Sequence, residues 1–375
     1  MTNTGSPAIS VIMPSYNHMR FIGDAIKSVL NQSFTDIELI VVDDGSHDGS
    51  ADVIRQISDS RFRYRILNQN VGACAAMNIA LDMTRGRYIA VCNSDDEWHP
   101  EKLSKQYPLL TDNPKLGAIF SDVKWIGDNG LPLRTEQLPF FKFVFQQKNR
   151  SRLSWIRDLL EGGNCLCHPS ILIRKEVYER VGNYDNRFRQ LPDLDMWIRL
   201  LQQYDIFVMH EALVAFRLHE DNTSAPNASS SRRSINEHQI ILKKTLADIS
   251  QESFIGAFGV RQISIESELD FEIEKALYML EYRGLYESMY RLLGLNALYE
   301  LMGDANAEQK LSSEYSFDIA RFHKEMAYHS PWIHPVHAET STNAGRPVEL
   351  VPTGELANVL LSRVKNKIRK INSRW

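Results

Sequence analysis

The strongest constraint on the fold is a repeat of pattern rather than of sequence. Four short strand-like runs, residues 9–13, 37–42, 63–67 and 88–92, are each followed by a polar break and then a helical stretch. The runs are rich in β-branched residues and too short for helices. The stretches between them place Ile22, Ala25, Ile26, Val29 and Leu30, then Val53, Ile54 and Ile57, then Ala76, Met77, Ala80 and Leu81 on single faces at helical spacing. Alternation at this pace predicts the α/β class, with a mostly parallel sheet flanked by helices. In such sheets ligands sit outside the carboxyl ends of the strands. Those ends carry residues 14–17, 43–46, 68–72 and 93–96, all of them polar, and one crevice should gather them.

The fourth end is the most unusual. Asn93-Ser94-Asp95-Asp96 sets two acids side by side after a buried run, although like charges repel and desolvation disfavours both. A divalent cation with oxygen ligands is the common compensation. Capping of the helix that opens near Pro100 is the plainer alternative. No G-x-G-x-x-G follows the first strand and no phosphate-binding P-loop occurs, so phosphates must be held in another way.

A net charge of -4 argues against a nucleic-acid partner. The cysteines, at 74, 92, 165 and 167, suit a reducing compartment better than a disulfide framework, and Cys165-Leu166-Cys167-His168 lacks the second ligand pair of a zinc site. No signal peptide is visible, and no apolar stretch reaches the ~20 residues that span a bilayer. A cytoplasmic location is expected.

Further along, residues 127–152 read as irregular, with Phe140, Phe141, Phe143 and Phe145 as core or as an acceptor or lipid surface. A strand is expected at 170–173, helices at 175–181 and from Pro192, and closing strands at 206–209 and 213–218. Residues 225–236, rich in Ser and Asn, read as a linker. Residues 237–325 read as an α-helical appendage, with short helices stopped by Gly284, Gly294 and Gly303. Residues 326–375 read as an extended arm ending in a basic amphipathic helix, which could touch an anionic membrane surface or dock on its own protein.

Several motifs in this order resemble the family 2 glycosyltransferases, inverting enzymes of the GT-A fold that use nucleotide-sugars. The likeness runs over residues 8–224, which would form a GT-A-like domain 1–224. It takes in residues 9–17, Val41-Val42-Asp43-Asp44-Gly45-Ser46, Asn70-Val71-Gly72, Arg85-Gly86-Arg87-Tyr88 and Asn93-Ser94-Asp95-Asp96. Later come His168-Pro169-Ser170, Pro192-Asp193-Leu194-Asp195-Met196-Trp197 and Phe216-Arg217-Leu218-His219.

The resemblance implies that Pro14, Ser15, Tyr16, Asn17, Asp44, Asn70, Gly72, Asn78, Asp95 and Arg217 bind the nucleotide-sugar, with Asp44 on the imide of a uracil or thymine base. It assigns Asp96 to a Mn or Mg ion, Asp95 to ribose or metal, and His219 to metal or phosphate. Asp193 would be the general base, with Asp195 as the fallback. Two positions depart from the common pattern: Asn93 stands where many relatives have Asp, and Pro192 where Glu commonly precedes the base. The implied reaction moves a sugar from a UDP- or dTDP-sugar to a glycan or lipid-linked acceptor, in the setting of bacterial surface-polysaccharide assembly. A sugar-phosphate nucleotidyltransferase and a non-catalytic nucleotide-sugar-binding scaffold are the alternatives.

Overall fold

The computed structural model describes residues 5–139, 141–220, 222, 228–259 and 265–328. Two compact units emerge, one of residues up to 225 together with 233–241, the other of 226–232 and 242 onward.

The first unit is built on β1 (Ile9–Ser15), β2 (Ile37–Asp43), β3 (Phe62–Ile66), β4 (Tyr88–Val91), β5 (Glu97–Trp98), β6 (Leu116–Ile126), β7 (Leu172–Arg174) and β8 (Asp205–Arg217). They form one sheet in the order β3-β2-β1-β4-β7-β6-β8-β5. The alternation at the start of the chain yields the parallel half, β3-β2-β1-β4. β7 runs antiparallel to both β4 and β6, and β5 antiparallel to β8. The helices α1 (Ile22–Leu30), α2 (Ser50–Arg55), α3 (Ala73–Asp82), α4 (Lys102–Asp112), α5 (Arg152–Gly162), α6 (Lys175–Val181) and α7 (Pro192–Leu201) complete the unit. Ile22, Ala25, Ile26 and Val29 of α1 are fully buried against the apolar residues of β1 and β2, as their spacing requires.

One ionic knot fixes the amino ends of these strands. Glu38 lies opposite Ser10 in the β1–β2 ladder. Its Oε1 accepts from Ser10 Oγ (2.7 Å) and the Arg85 N–H (2.8 Å), and its Oε2 from Arg85 Nε (2.9 Å) and Arg63 Nη1 (2.9 Å). Gly86 completes the knot, because a Cβ there would stand 2.6 Å from the Ser10 nitrogen. Burial alone would raise the Glu38 carboxyl, but the bonds from Ser10, Arg85 and Arg63 outweigh it and hold the group below its ordinary value.

Several expectations change. The stretch 127–152 is followed by α5, which the periodicity reading passed over; Ser151 caps it, and Trp155, Ile156, Leu159 and Leu160 are its buried face. The two closing strands are one, β8, with an irregular register between Met209 and Ala212. Phe141 and Phe145 pack on Trp125, whereas Phe143 is exposed; Phe140 lies outside the described residues. The expected linker at 225–236 is helical from Ala228 on, as the start of α8 (Ala228–Asp248). No Gly or Pro occurs between Pro226 and Gly256, and a run of Ser alone does not break a helix.

The second unit is helical, with the later part of α8, then α9 (Gln251–Phe258), α10 (Glu268–Glu281), α11 (Glu287–Leu301), α12 (Ala305–Tyr315) and α13 (Ile319–Tyr328). Its core gathers Ile273, Leu277, Leu280, Leu298, Leu311 and Phe317. Gly294 does not stop a helix but lies inside α11, where a Cβ would stand 2.5 Å from the Leu280 nitrogen. It is a contact glycine that lets α10 and α11 approach closely. The expected arm and basic terminal helix lie, from residue 329, outside the described residues. Among the described residues no helix is long and apolar enough to cross a membrane.

Glu38→Ala should lower stability by about 2 kcal/mol, the scale for leaving buried donors such as Ser10 Oγ without an acceptor, seen as a lower urea midpoint. Because the folded-state carboxyl titrates below its ordinary 4.5, the wild-type contribution is complete above that value. It should be lost as pH falls through the lowered one.

Candidate active site

The carboxyl ends of β1, β2 and β4 lie along one edge of the sheet because these strands are parallel. At the end of β1 the chain turns through Asn17, whose φ of 54° is left-handed. The Asn17 N–H donates to Ser46 Oγ (2.8 Å), and Asn17 Oδ1 accepts from the His47 N–H (2.9 Å). Pro14 and Ser15 are the last residues of β1, and the Tyr16 ring beyond them is exposed. At the end of β2 the buried Asp44 carboxylate accepts the N–H groups of Val71 (2.7 Å) and Gly72 (2.9 Å). Asp44 thus bonds to backbone, but to the Asn70-Val71-Gly72 turn across the edge rather than within its own. Gly45 admits the close approach, since a Cβ there would meet the Gln69 carbonyl carbon at 2.7 Å.

At the end of β4 the two acids part company. Asp95 Oδ2 meets His219 Nε2 (3.0 Å) and accepts from Asn222 Nδ2 (3.3 Å). Burial pushes this carboxyl up, but the His219 bond and the nearby imidazoles of His18 and His219 prevail and bring it below its ordinary value. Asp96 is sealed in, its Oδ1 accepting the Arg217 N–H (2.9 Å) and its Oδ2 the Asn93 amide (3.0 Å). Burial and the adjacent Asp95 charge push it well above the usual carboxylate range.

One atom from each of His18, Asp95 and His219 forms a group lying within 4.8 Å of one another. Two imidazoles and a carboxylate are a donor set that fits a divalent transition ion. The buried Nδ1 of His219 has no hydrogen-bond partner among the described residues, while its Nε2 meets Asp95 and its ring packs on Phe21. Of the two adjacent acids expected at a metal, Asp95 lies in this group and Asp96 does not. Asp96 is turned inward by the Arg217 backbone and Asn93. His18 was not singled out from the sequence, although it stands one residue past the Pro14–Asn17 turn; its Nδ1 lies 2.7 Å from Ser94 Oγ.

Arg217 is also placed differently from the expectation. Its guanidinium is buried and donates to the carbonyls of Asp95 (2.7 Å), Gly127 (3.1 Å) and Asp128 (3.2 Å) and to Glu97 Oε1 (2.5 Å). These bonds brace the acidic turn from behind. Asn78 likewise binds protein, donating to the Tyr184 carbonyl (2.8 Å) and accepting its N–H (3.1 Å).

Asp193 stands on a different element, α7. It is the second residue of α7, and Leu191 rather than Asp193 stands at the cap position. Its Oδ2 accepts from Asn164 Nδ2 (2.6 Å) and its Oδ1 from the Leu194 N–H (2.8 Å). Burial pushes this carboxyl up to about 6, against the pull of those two donors and with help from the charge of Glu237. Cys74, at the start of α3, donates to the Phe188 carbonyl (3.3 Å) and ties the Asp193 stretch to the end of the Asn70–Gly72 turn. Asp195 is buried in an ion pair with Arg199 (2.8 Å) and is not a second candidate of the same kind.

A carboxyl poised near neutrality and a mixed imidazole–carboxylate cluster are groups of the kind that serve polar group transfer. Comparisons with known proteins agree. A family profile described as glycosyl transferase family 2 matches residues 10–182. TuaG of Bacillus subtilis (strain 168), a glycosyltransferase provisionally assigned to teichuronic acid biosynthesis, is 33% identical over 228 residues, 60% of this chain and 84% of its own length. WbnJ of Escherichia coli, an O-antigen biosynthesis glycosyltransferase, is 27% identical over 220 residues, 57% of this chain and 81% of its own. Among solved structures, the mannosyltransferase PcManGT from Pyrobaculum calidifontis, in complex with GDP-Man and Mn2+, aligns with a TM-score of 0.52 at 17% identity, over 84% of this chain and 81% of that one. That likeness is one of fold, and it supports the GT-A-like architecture. By its motifs, its sheet and its relatedness to TuaG over most of that protein's length, the chain belongs to glycosyl transferase family 2 and is a glycosyltransferase.

Proposed function

We propose that this glycosyltransferase is inverting and metal-dependent, and that it moves a sugar from a nucleoside-diphosphate sugar to a hydroxyl of a glycan or glycolipid acceptor in surface-polysaccharide assembly. The observation that carries the reading is the Asp193 carboxyl, raised to about 6 and anchored by Asn164 and the Leu194 N–H. Near pH 7 such a group is ionised yet basic enough to take a proton, the condition for an efficient general base. It accepts the proton of the acceptor hydroxyl as the oxygen attacks the anomeric carbon. The bond from that carbon to the phosphate oxygen breaks on the opposite side, and the electron pair leaves with the nucleoside diphosphate. One displacement inverts the anomeric centre.

His18, Asp95 and His219 would hold the cation, which when bound supplies Lewis-acid stabilisation of charge on the diphosphate. Two imidazoles beside one carboxylate weigh towards Mn2+ over Mg2+, which takes oxygen ligands. Asp44 keeps lone pairs beyond those used by Val71 and Gly72, so it can accept an imide N–H from uracil or thymine. This favours UDP- or dTDP-sugars, with the exposed Tyr16 ring beside the base. The setting in surface polysaccharide is supported by the names of TuaG and WbnJ.

Diphosphate release from a panel of UDP-, dTDP- and GDP-sugars, with and without Mn2+, tests the activity. Asp193→Asn should lower kcat by about 10²- to 10⁴-fold, the usual contribution of a general base, with the donor KM little changed. Turnover at the wild-type rate would refute the assignment. In the wild type, kcat should fall about tenfold per pH unit below about 6 as Asp193 takes up a proton. A second measurement concerns the cation alone: Mn2+ titrated without sugar should bind more weakly to Asp95→Asn and His219→Ala, read by electron paramagnetic resonance. Unchanged binding in both would remove the cluster from the metal site.

A further inference from the structure

The support of Asp193 reaches into a part of the chain far downstream of the motifs. Glu237, buried on α8, accepts the N–H groups of Arg189 (2.9 Å) on Oε1 and of Gln190 (2.8 Å) and Leu191 (2.8 Å) on Oε2. These are the three residues ahead of Pro192, which has no N–H of its own. Three consecutive backbone donors on one carboxylate set the direction in which the chain enters α7, and Asp193 is the next residue after Pro192. His238, beside Glu237, donates from Nε2 to the Leu160 carbonyl (2.8 Å). Leu160 stands near the end of α5, four residues before Asn164, whose amide holds Asp193. Adjacent residues of α8 therefore brace both the stretch that carries Asp193 and the stretch that carries its hydrogen-bond partner.

The charges around Asp193 single out the same residue. Cys74 faces it from α3, Tyr184 from the segment between α6 and α7, and Glu237 from α8. Burial pushes the Cys74 thiol up to about 12 and raises the Tyr184 phenol well above its ordinary value, so both are neutral near pH 7. Asp185 lies near Cys74, and Arg233 donates to the Gln190 side chain (2.7 Å). Glu237 accepts these N–H groups as an ionised carboxylate does. Its charge adds to the desolvation of Asp193 rather than relieving it.

We propose that Glu237 is a positioning residue for the base, fixing the entry to α7 through three backbone bonds and setting a negative charge beside the Asp193 carboxyl. The proposal rests on Asp193 being the base. It gives the start of α8 a part in the chemistry, although that helix lies beyond the region matched by the family profile, residues 10–182.

The test uses the full chain and the sugar nucleotide that gives the fastest diphosphate release, comparing wild type, Glu237→Gln, Glu237→Asp and Asp193→Asn. Glu237→Gln keeps the shape, loses the charge and turns one acceptor into a donor. Its kcat should fall about 10- to 100-fold, the scale of a sub-ångström to ångström misplacement, with donor KM within about twofold. Its acid limb should move to lower pH, because removing a neighbouring negative charge lowers the Asp193 pKa. Glu237→Asp keeps the charge but not the reach, so kcat should fall while the acid limb stays. A wild-type kcat in either variant, or an unmoved acid limb in Glu237→Gln, overturns the proposal. So does a loss of kcat matched by an equal loss of donor affinity and a lowered melting temperature, the mark of a merely structural role. If Glu237→Gln does not fold, the split of kcat from KM in Glu237→Asp decides alone. Asp193→Asn separates the two ideas. Wild-type turnover there removes the base itself, whereas loss of turnover there with unaltered Glu237 variants removes only Glu237.

Discussion

Two adjacent carboxylates buried at the end of a central strand are the constraint on which the rest of this site depends. Neither can be desolvated without partners, and three of the partners, Arg217, His219 and Asn222, come from more than a hundred residues away in sequence. A ladder of two residues makes that possible: Glu97 pairs with Ala215 and Trp98 with Val214. It draws the end of β8 alongside the acidic turn, so that Arg217 meets Asp96 and Glu97 while His219 and Asn222 meet Asp95. The two acids then diverge. Asp96 becomes an internal strut held by a backbone N–H and an amide, and Asp95 faces the imidazoles of His18 and His219.

Asp193 meets the cost of burial by different means. Among the described residues its hydrogen bonds come from an amide and a backbone N–H and not from a cation. Its two anchors, an amide and a backbone N–H, stabilise the carboxylate only partly against the cost of burial, so its pKa stays raised, at about 6. Where Arg199 forms an ion pair with Asp195 two residues further on, the helix has instead a structural acid. The contrast between these neighbours shows how one turn of α7 separates a carboxyl of raised pKa from one held in an ion pair. It also shows why that turn needs outside support, which Glu237 and His238 supply.

Much of this was legible in the chain. The period of the apolar runs specifies the parallel half of the sheet, because a buried strand and an amphipathic helix have different and readable spacings. The polar ends follow from that, with Asp44 and Asp95 on them, whereas Asp193 is singled out by the resemblance to the family 2 glycosyltransferases. Less legible were features set by partners distant in sequence. Arg217 reads as a cation for a diphosphate, yet three carbonyls and Glu97 occupy its guanidinium. Gly294 reads as a helix stop, yet its missing side chain serves the contact between α10 and α11. A Ser-rich stretch reads as a linker, yet from Ala228 it is the first turns of α8.

By itself the sequence determined the α/β class, which strands make the parallel half, the family, and which acids are candidates for chemistry. These rest on local spacing and local motif, which a chain carries within a few dozen residues. Only the tertiary structure decided which acid of the adjacent pair faces the histidines, that His18 joins them, and that Glu237 stands behind Asp193. The reason is physical: the protonation and direction of a buried carboxyl are set by whichever donors and charges the fold brings to it, and here those come from opposite ends of the domain.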